Sequence, residues 1–143
     1  QATFSTCFGA PFLALHPTTY ARVLGKKMEE HGATAYIVNT GWSGGSYGTG
    51  TRMKLKITRA IIDAILDDSL DAAEFDTMPI FGFQIPKHLN NVDDGVLNPR
   101  ETWENKDSYD LTARKLAQKF IDNFSAYTDT PEGKAVEQAG PTI

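Results

Sequence analysis

Thr34-Ala35-Tyr36-Ile37-Val38-Asn39-Thr40-Gly41-Trp42-Ser43-Gly44-Gly45-Ser46-Tyr47-Gly48-Thr49-Gly50-Thr51-Arg52-Met53-Lys54 holds the transition on which the reading of the fold turns. Its first six residues are short, β-branched and aromatic, and they predict a buried strand over 34–39. Glycines at 41, 44, 45, 48 and 50 make the next segment a loop. Such a loop lets backbone approach a ligand closely and adopt positive φ. Ile57, Ile61, Ile62, Ile65 and Leu66 then mark the inner face of a helix over roughly 57–67. Strand, glycine loop and helix in that order place the chain in the mixed α/β class, with helices flanking a mixed sheet.

Outward from this centre, the pattern is equally regular on both sides. Pro17 suits the first turn of a helix, where its missing N–H is no loss. Tyr20, Val23, Leu24 and Met28 follow at spacings of three and four, and Gly32 stands where a helix over 17–31 would stop. Downstream, Ile80-Phe81-Gly82-Phe83-Gln84-Ile85 between Pro79 and Pro86 predicts a second strand. Residues 86–107 read as an irregular connection over a surface. Asp107 or Ser108 is the expected cap of a long helix with apolar positions at Leu111, Leu116, Ala117, Phe120, Ile121, Phe124 and Tyr127. Each large side chain buried there would contribute about 1.5–3 kcal/mol, so this helix is expected to be a main core element. Pro131 opens a last short helix that Gly140-Pro141 ends.

Bulk properties narrow the function classes. With 143 residues, 41% apolar and 22% charged, the chain has the size and balance of one soluble globular domain with a sizeable core. A net charge of −4 argues against a protein that coats nucleic acid, which needs a clustered basic surface. No stretch approaches the ~20 apolar residues of a membrane-spanning helix. The single cysteine, Cys7, can form neither an internal disulfide nor a cysteine-rich zinc site, and it suits a reducing compartment. A reactive thiol at Cys7 is weighed against an inert buried one, and the buried reading is preferred. The opening Gln1-Ala2-Thr3-Phe4-Ser5 has no signal-peptide pattern, and a chain that starts in mid-pattern is expected to belong to something longer.

The glycine loop, followed directly by Arg52 and Lys54, suggests a phosphate or nucleotide site; a mobile surface turn is the plainer reading. Gly45 to Arg52 has the glycine spacing of a P-loop. Thr51 and Arg52, however, stand where lysine and a hydroxyl are required, so it is no P-loop. The dinucleotide fingerprint is also absent from it. His16 before Pro17 reads as a helix-entry residue, and His31 and His88 are isolated, so the histidines make no metal set. Asp67, Asp68, Asp71, Glu74 and Asp76 read as a solvated helix end, and Asp93-Asp94-Gly95 is no EF-hand loop. Trp42 either flanks a ligand or packs on the strand, and Trp103 is assigned to packing.

The order of residues is more specific than their spacing. Val38-Asn39-Thr40-Gly41-Trp42-Ser43-Gly44-Gly45, then Tyr47-Gly48-Thr49-Gly50-Thr51-Arg52-Met53, then Thr58-Arg59-Ala60-Ile61-Ile62 resembles one block of the ATP-dependent phosphoenolpyruvate carboxykinases. Phe4-Ser5-Thr6-Cys7-Phe8-Gly9-Ala10 with Leu15-His16-Pro17 agrees upstream. Phe120-Ile121-Asp122-Asn123-Phe124 with Tyr127-Thr128-Asp129-Thr130-Pro131 agrees downstream, so the resemblance runs nearly end to end.

The resemblance implies that residues 1–143 are the C-terminal portion of a mononucleotide-binding domain in a cytoplasmic enzyme. That enzyme would convert oxaloacetate and ATP to phosphoenolpyruvate, ADP and carbon dioxide in gluconeogenesis, with Mg2+ on the nucleotide and Mn2+ at the active site. It also implies that the P-loop, metal ligands, oxaloacetate-binding arginines and mobile lid precede Gln1. No catalytic residue is then expected in this chain, and the isolated chain is expected not to turn over. The family's adenine-contacting Arg-Ile pair falls on Arg52-Met53 and its nearby threonine on Thr58. A guanidinium can stack on a purine, Met53 offers a polarizable contact and Thr58 a hydroxyl. Departures from the pattern are a longer loop, Thr51 for lysine and Met53 for isoleucine. A GTP-dependent carboxykinase and a stand-alone, non-catalytic nucleotide-binding module are the rival readings. In either, strand 34–39 could expose an edge if its neighbours are missing.

Overall fold

The computed structural model describes residues 3–5 and 9–143; Thr6, Cys7 and Phe8 lie outside them, and with them the reading of Cys7. The helices are α1 (Pro17–His31), α2 (Leu55–Leu66), α3 (Asp94–Leu97), α4 (Lys106–Phe124) and α5 (Pro131–Val136). The strands are β1 (Trp42–Ser43), β2 (Thr51–Arg52), β3 (Phe75–Thr77) and β4 (Gln84–Pro86). The chain divides into two compact units, one spanning Tyr36–Leu116 and one built from the flanking segments that end at Ala35 and begin at Ala117.

In the flanking unit, α1 has the bounds that its periodicity predicts. His16 is its N-cap, the ring Nδ1 accepting from the Thr18 amide at 3.4 Å, and Gly32 closes it in the left-handed region. The helix-entry role read for His16 is therefore borne out. Pro131 opens α5, where Thr130 Oγ1 accepts the Gly133 N–H at 3.1 Å and contacts Thr18 Oγ1 at 3.3 Å. An edge-to-face pair joins Phe4 to Phe120 at 5.1 Å, and Tyr127 meets Phe124 and His16.

The central unit has its core between α2 and the segments that follow it. Ala64, Leu70, Leu89 and Val92 are buried, with Ile57, Ala60, Ile61 and Ile65 packed against them. β3 and β4 pair antiparallel, with Asp76 opposite Ile85. Lys87 reaches Glu74 at 3.4 Å and Asp76 at 3.5 Å beside that hairpin.

Several expectations are corrected. Residues 34–39 form no strand among the described residues, and Ile37 is 80% exposed. A strand needs a neighbour to take its N–H and C=O groups, and among the described residues none pairs with this segment. The mixed sheet is replaced by two separate two-stranded antiparallel pairs. The second strand shrinks from 80–85 to β4, because Ile80 adopts φ 72° in the turn before it and no L residue continues a strand in that region. β3 was not anticipated, since Phe75-Asp76-Thr77 is too short to show alternation. Within the irregular 86–107 stretch, Asp93 caps the single turn α3 through the Gly95 amide. Asn105, rather than Asp107 or Ser108, caps α4, its Oδ1 accepting the Ser108 N–H at 2.8 Å.

The expected core is also smaller. On α4 only Ala117 is buried, while Leu111, Leu116, Phe120 and Ile121 are exposed. On α2, Ile62 and Leu66 face outward instead of inward. These apolar side chains lie on predicted helical faces, so the periodicity is right. Phe120 meets Phe4 edge-on, but each of these side chains keeps a large part of its surface exposed.

Candidate nucleotide-binding site

The glycine loop is closed at its base by the β1–β2 ladder, which sets Trp42 opposite Arg52 and Ser43 opposite Thr51. The loop tip is a tight turn in which the Ser46 carbonyl accepts from the Thr49 and Gly50 amides at 3.0 and 2.8 Å. It is thus a built turn rather than a slack one. Tyr47 at the tip stands edge-on to Trp42, with ring centroids 5.2 Å apart.

Arg52 leaves the ladder beside Trp42 and holds its guanidinium 5.9 Å from the indole centroid. At that distance the ring's negative face attracts the cation by about 0.5–1 kcal/mol at an exposed site. Trp42 is 42% exposed, which goes against its reading as a core-packing residue. Met53 follows directly, half-buried, its N–H donated to the Gly41 carbonyl at 3.0 Å. Thr58 lies in the first turn of α2, where its N–H reaches the Lys54 carbonyl at 3.3 Å. Arg52 and Met53 are therefore fixed by the ladder and Thr58 by the helix, all within the central unit. The start of α2 carries no acidic residue and no side-chain cap, and Lys54 precedes it. That end keeps its positive potential and suits an anionic ligand nearby.

Residues that sequence reasoning passed over support the loop from outside. The Gly44 N–H donates to Thr102 Oγ1 at 3.0 Å, across 58 positions of chain. Thr102 belongs to a turn that Arg100 ties to α4 by a two-pronged ion pair with Asp110, at 2.8 and 2.9 Å. Lys106 adds bonds to the carbonyls of Arg100 and Glu101. No local pattern announces these contacts, because each joins polar residues that would read as a solvated connection.

The Arg100 hydrogen bond holds the Asp110 carboxyl below the usual carboxylate range. A carboxylate whose pKa is lowered on folding adds stability above its unfolded pKa and loses it as pH falls through the folded one. The expected result is an acid-side loss of stability below about pH 4 that Asp110→Asn partly flattens. Thermal melts of the two proteins between neutral pH and about pH 3 check this, and parallel curves would contradict it.

Two further readings change in detail. His88 is not isolated, since its Nδ1 lies 2.8 Å from Asp94 Oδ1, while His31 stands in the last turn of α1. Trp103 packs edge-to-face on Tyr109 at 5.7 Å, as assigned. Among the described residues no three side chains of the kinds that bind metals converge, and no helix is long and apolar enough to cross a membrane.

Comparison with known proteins completes the description. The family model for phosphoenolpyruvate carboxykinase, in its ATP-dependent form, matches residues 1–95. A protein of Campylobacter jejuni subsp. jejuni serotype O:2, named phosphoenolpyruvate carboxykinase (ATP), is 54% identical over all 143 residues. Proteins of the same name from Sulfurimonas denitrificans and Caldanaerobacter subterraneus subsp. tengcongensis are each 50% identical over 99% of the chain. The chain spans 27% of the length of each of these relatives.

Proposed function

Because the chain belongs to the ATP-dependent phosphoenolpyruvate carboxykinase family, we propose that it is the C-terminal portion of such an enzyme and serves its nucleotide site. The whole enzyme would decarboxylate oxaloacetate and pass the γ-phosphoryl group of ATP to the enolate, giving phosphoenolpyruvate, ADP and carbon dioxide. In this reading the chain completes a mononucleotide-binding domain, in a cytoplasmic protein working in gluconeogenesis. Arg52 stacks on or hydrogen-bonds adenine, Met53 lies against the base, and Thr58 offers its hydroxyl.

The observation that carries this is the guanidinium of Arg52 held over Trp42 on a ladder-closed glycine loop. A planar guanidinium fixed at a loop base can stack on an aromatic base and offer donors to its edge, while its charge repels a metal ion. In this reading Mg2+ and Mn2+ would be held by other parts of the enzyme. The unburied faces of α2 and α4 fit the same reading, as surfaces for the remainder of the enzyme.

The test is turnover by the full-length protein with oxaloacetate and either ATP or GTP, plus Mg2+ and Mn2+. Phosphoenolpyruvate formation is expected with ATP and at least tenfold less with GTP at equal subsaturating concentration. Equal use of the two, or a preference for GTP, would reject the adenine assignment. Absence of any oxaloacetate-dependent product would reject the activity and leave a binding module.

A further inference from the structure

The geometry points to Thr102 as a positioning residue for the nucleotide site, acting through Gly44 and the loop that presents Arg52. The inference rests on the adenine reading above, and it adds a residue remote in sequence that touches no ligand itself.

Thr102 is shaped for this by two bonds made at one hydroxyl. Its Oγ1 donates to the Pro99 carbonyl at 2.7 Å and, through a lone pair, accepts the Gly44 N–H at 3.0 Å. The first bond orients the hydroxyl so that its acceptor side meets the loop. Donation to one group polarises the hydroxyl and strengthens it as an acceptor for the other.

Gly44 is the matching half of the contact. Its φ is 79°, and a Cβ built there would stand 2.9 Å from the Thr102 carbonyl oxygen. Only glycine lets the two backbones approach this closely without strain. Gly44 directly follows Ser43, the last residue of β1, so a shift there is transmitted to the ladder that carries Arg52.

Behind Thr102 the support is stiff. The Arg100–Asp110 fork fixes the turn to α4, and Lys106 ties down the two carbonyls before Thr102. The chain of contact therefore runs from α4 through Arg100 to Thr102, Gly44, Trp42 and Arg52. Residues 98–110 gain a role beyond connecting elements: they set where the adenine-facing cation stands.

Thr102→Val keeps the shape and removes the hydroxyl, so it is the informative change. In the full-length enzyme it is expected to raise KM for ATP by about three- to tenfold, the range that one net hydrogen bond supplies. KM for oxaloacetate and kcat at saturating ATP should stay within about twofold. Thr102→Ser should restore the low KM. A general loss of structure would instead move kcat and both KM values together, and that pattern would overturn the proposal.

Arg52→Ala in parallel separates this inference from the reading beneath it. If Arg52→Ala leaves KM for ATP unchanged, the adenine assignment fails. If Arg52→Ala raises it and Thr102→Val does not, the assignment stands and the anchoring role is wrong. Should Thr102→Val not yield folded enzyme, Asp110→Asn probes the far end of the same support. A smaller rise in KM for ATP alone is expected there, and an unchanged value would overturn the proposal.

Discussion

Arg52→Ala in the full-length enzyme is expected to raise KM for ATP by about ten- to a hundredfold, with kcat at saturating ATP changed far less. The guanidinium sits 5.9 Å from the Trp42 centroid on a two-residue ladder, so it is positioned before ligand arrives. A cation–π or charge-assisted contact to a desolvated base contributes about 1.5–3 kcal/mol, which sets the factor quoted. On the proposed reading the base lies away from the phosphoryl transfer, so the loss would fall on binding common to ground and transition states. Lysine at this position should recover little, because it lacks the planar fork. Steady-state rates over a range of ATP at fixed oxaloacetate decide the matter. A fall in kcat with KM unchanged would move Arg52 from binding to the chemical step and overturn its assignment.

Gly133→Ala is the second large effect, and its sign is the informative part. In an ordinary helix alanine is better than glycine by about 1 kcal/mol. Here a Cβ would run into the Tyr127 carbonyl oxygen, with the carbonyl carbon at 2.8 Å and Thr130 Oγ1 at 3.2 Å. Both the backbone and the hydroxyl that caps α5 would have to move. Overpacking costs about 1–3 kcal/mol and a disturbed cap about 1 more, so the net is a loss of ~1–3 kcal/mol. Thermal melts should show a midpoint several degrees lower than wild type. A raised midpoint would mean that α5 relaxes freely and that the close approach to Tyr127 does not constrain it.

Local chemistry explains which parts of the fold were legible. α1 could be bounded to the residue because Pro17 at its start and Gly32 at its end each act on one turn of backbone. The entry of α5 was legible from Pro131, but the helix ends at Val136 and passes into a 3-10 turn over Glu137–Ala139 before the Gly140-Pro141 stop read from the sequence. The β1–β2 ladder was hidden inside the glycine loop, since two residues on each side show no alternation. The strand over 80–85 was drawn too long because Phe81 and Phe83 look like strand residues, yet they lie in the connection between β3 and β4 and stack on each other at 6.3 Å.

The candidate site divides in the same way. Arg52, Met53 and Thr58 were reached through the order of residues around the loop, a resemblance that spacing alone did not supply. Thr102 was out of reach: its contact with Gly44 spans 58 positions, and a threonine in a Pro- and Asn-rich connection carries no sign of its partner. Trp42 was left between two roles because indole serves equally in a core and on a surface.

By itself, then, the order of residues determined the longer helices, the glycine loop and the membership of a family. All three are written in neighbouring side chains and backbone preferences that act over a few residues. Tertiary structure alone decided that residues 34–39 have no strand partner among the described residues, that Arg52 rests on Trp42, and that the loop is held by Thr102. A strand partner, a stacked cation and a hydroxyl 58 residues away depend on where distant backbone is brought, and that placement follows from packing rather than from local propensity.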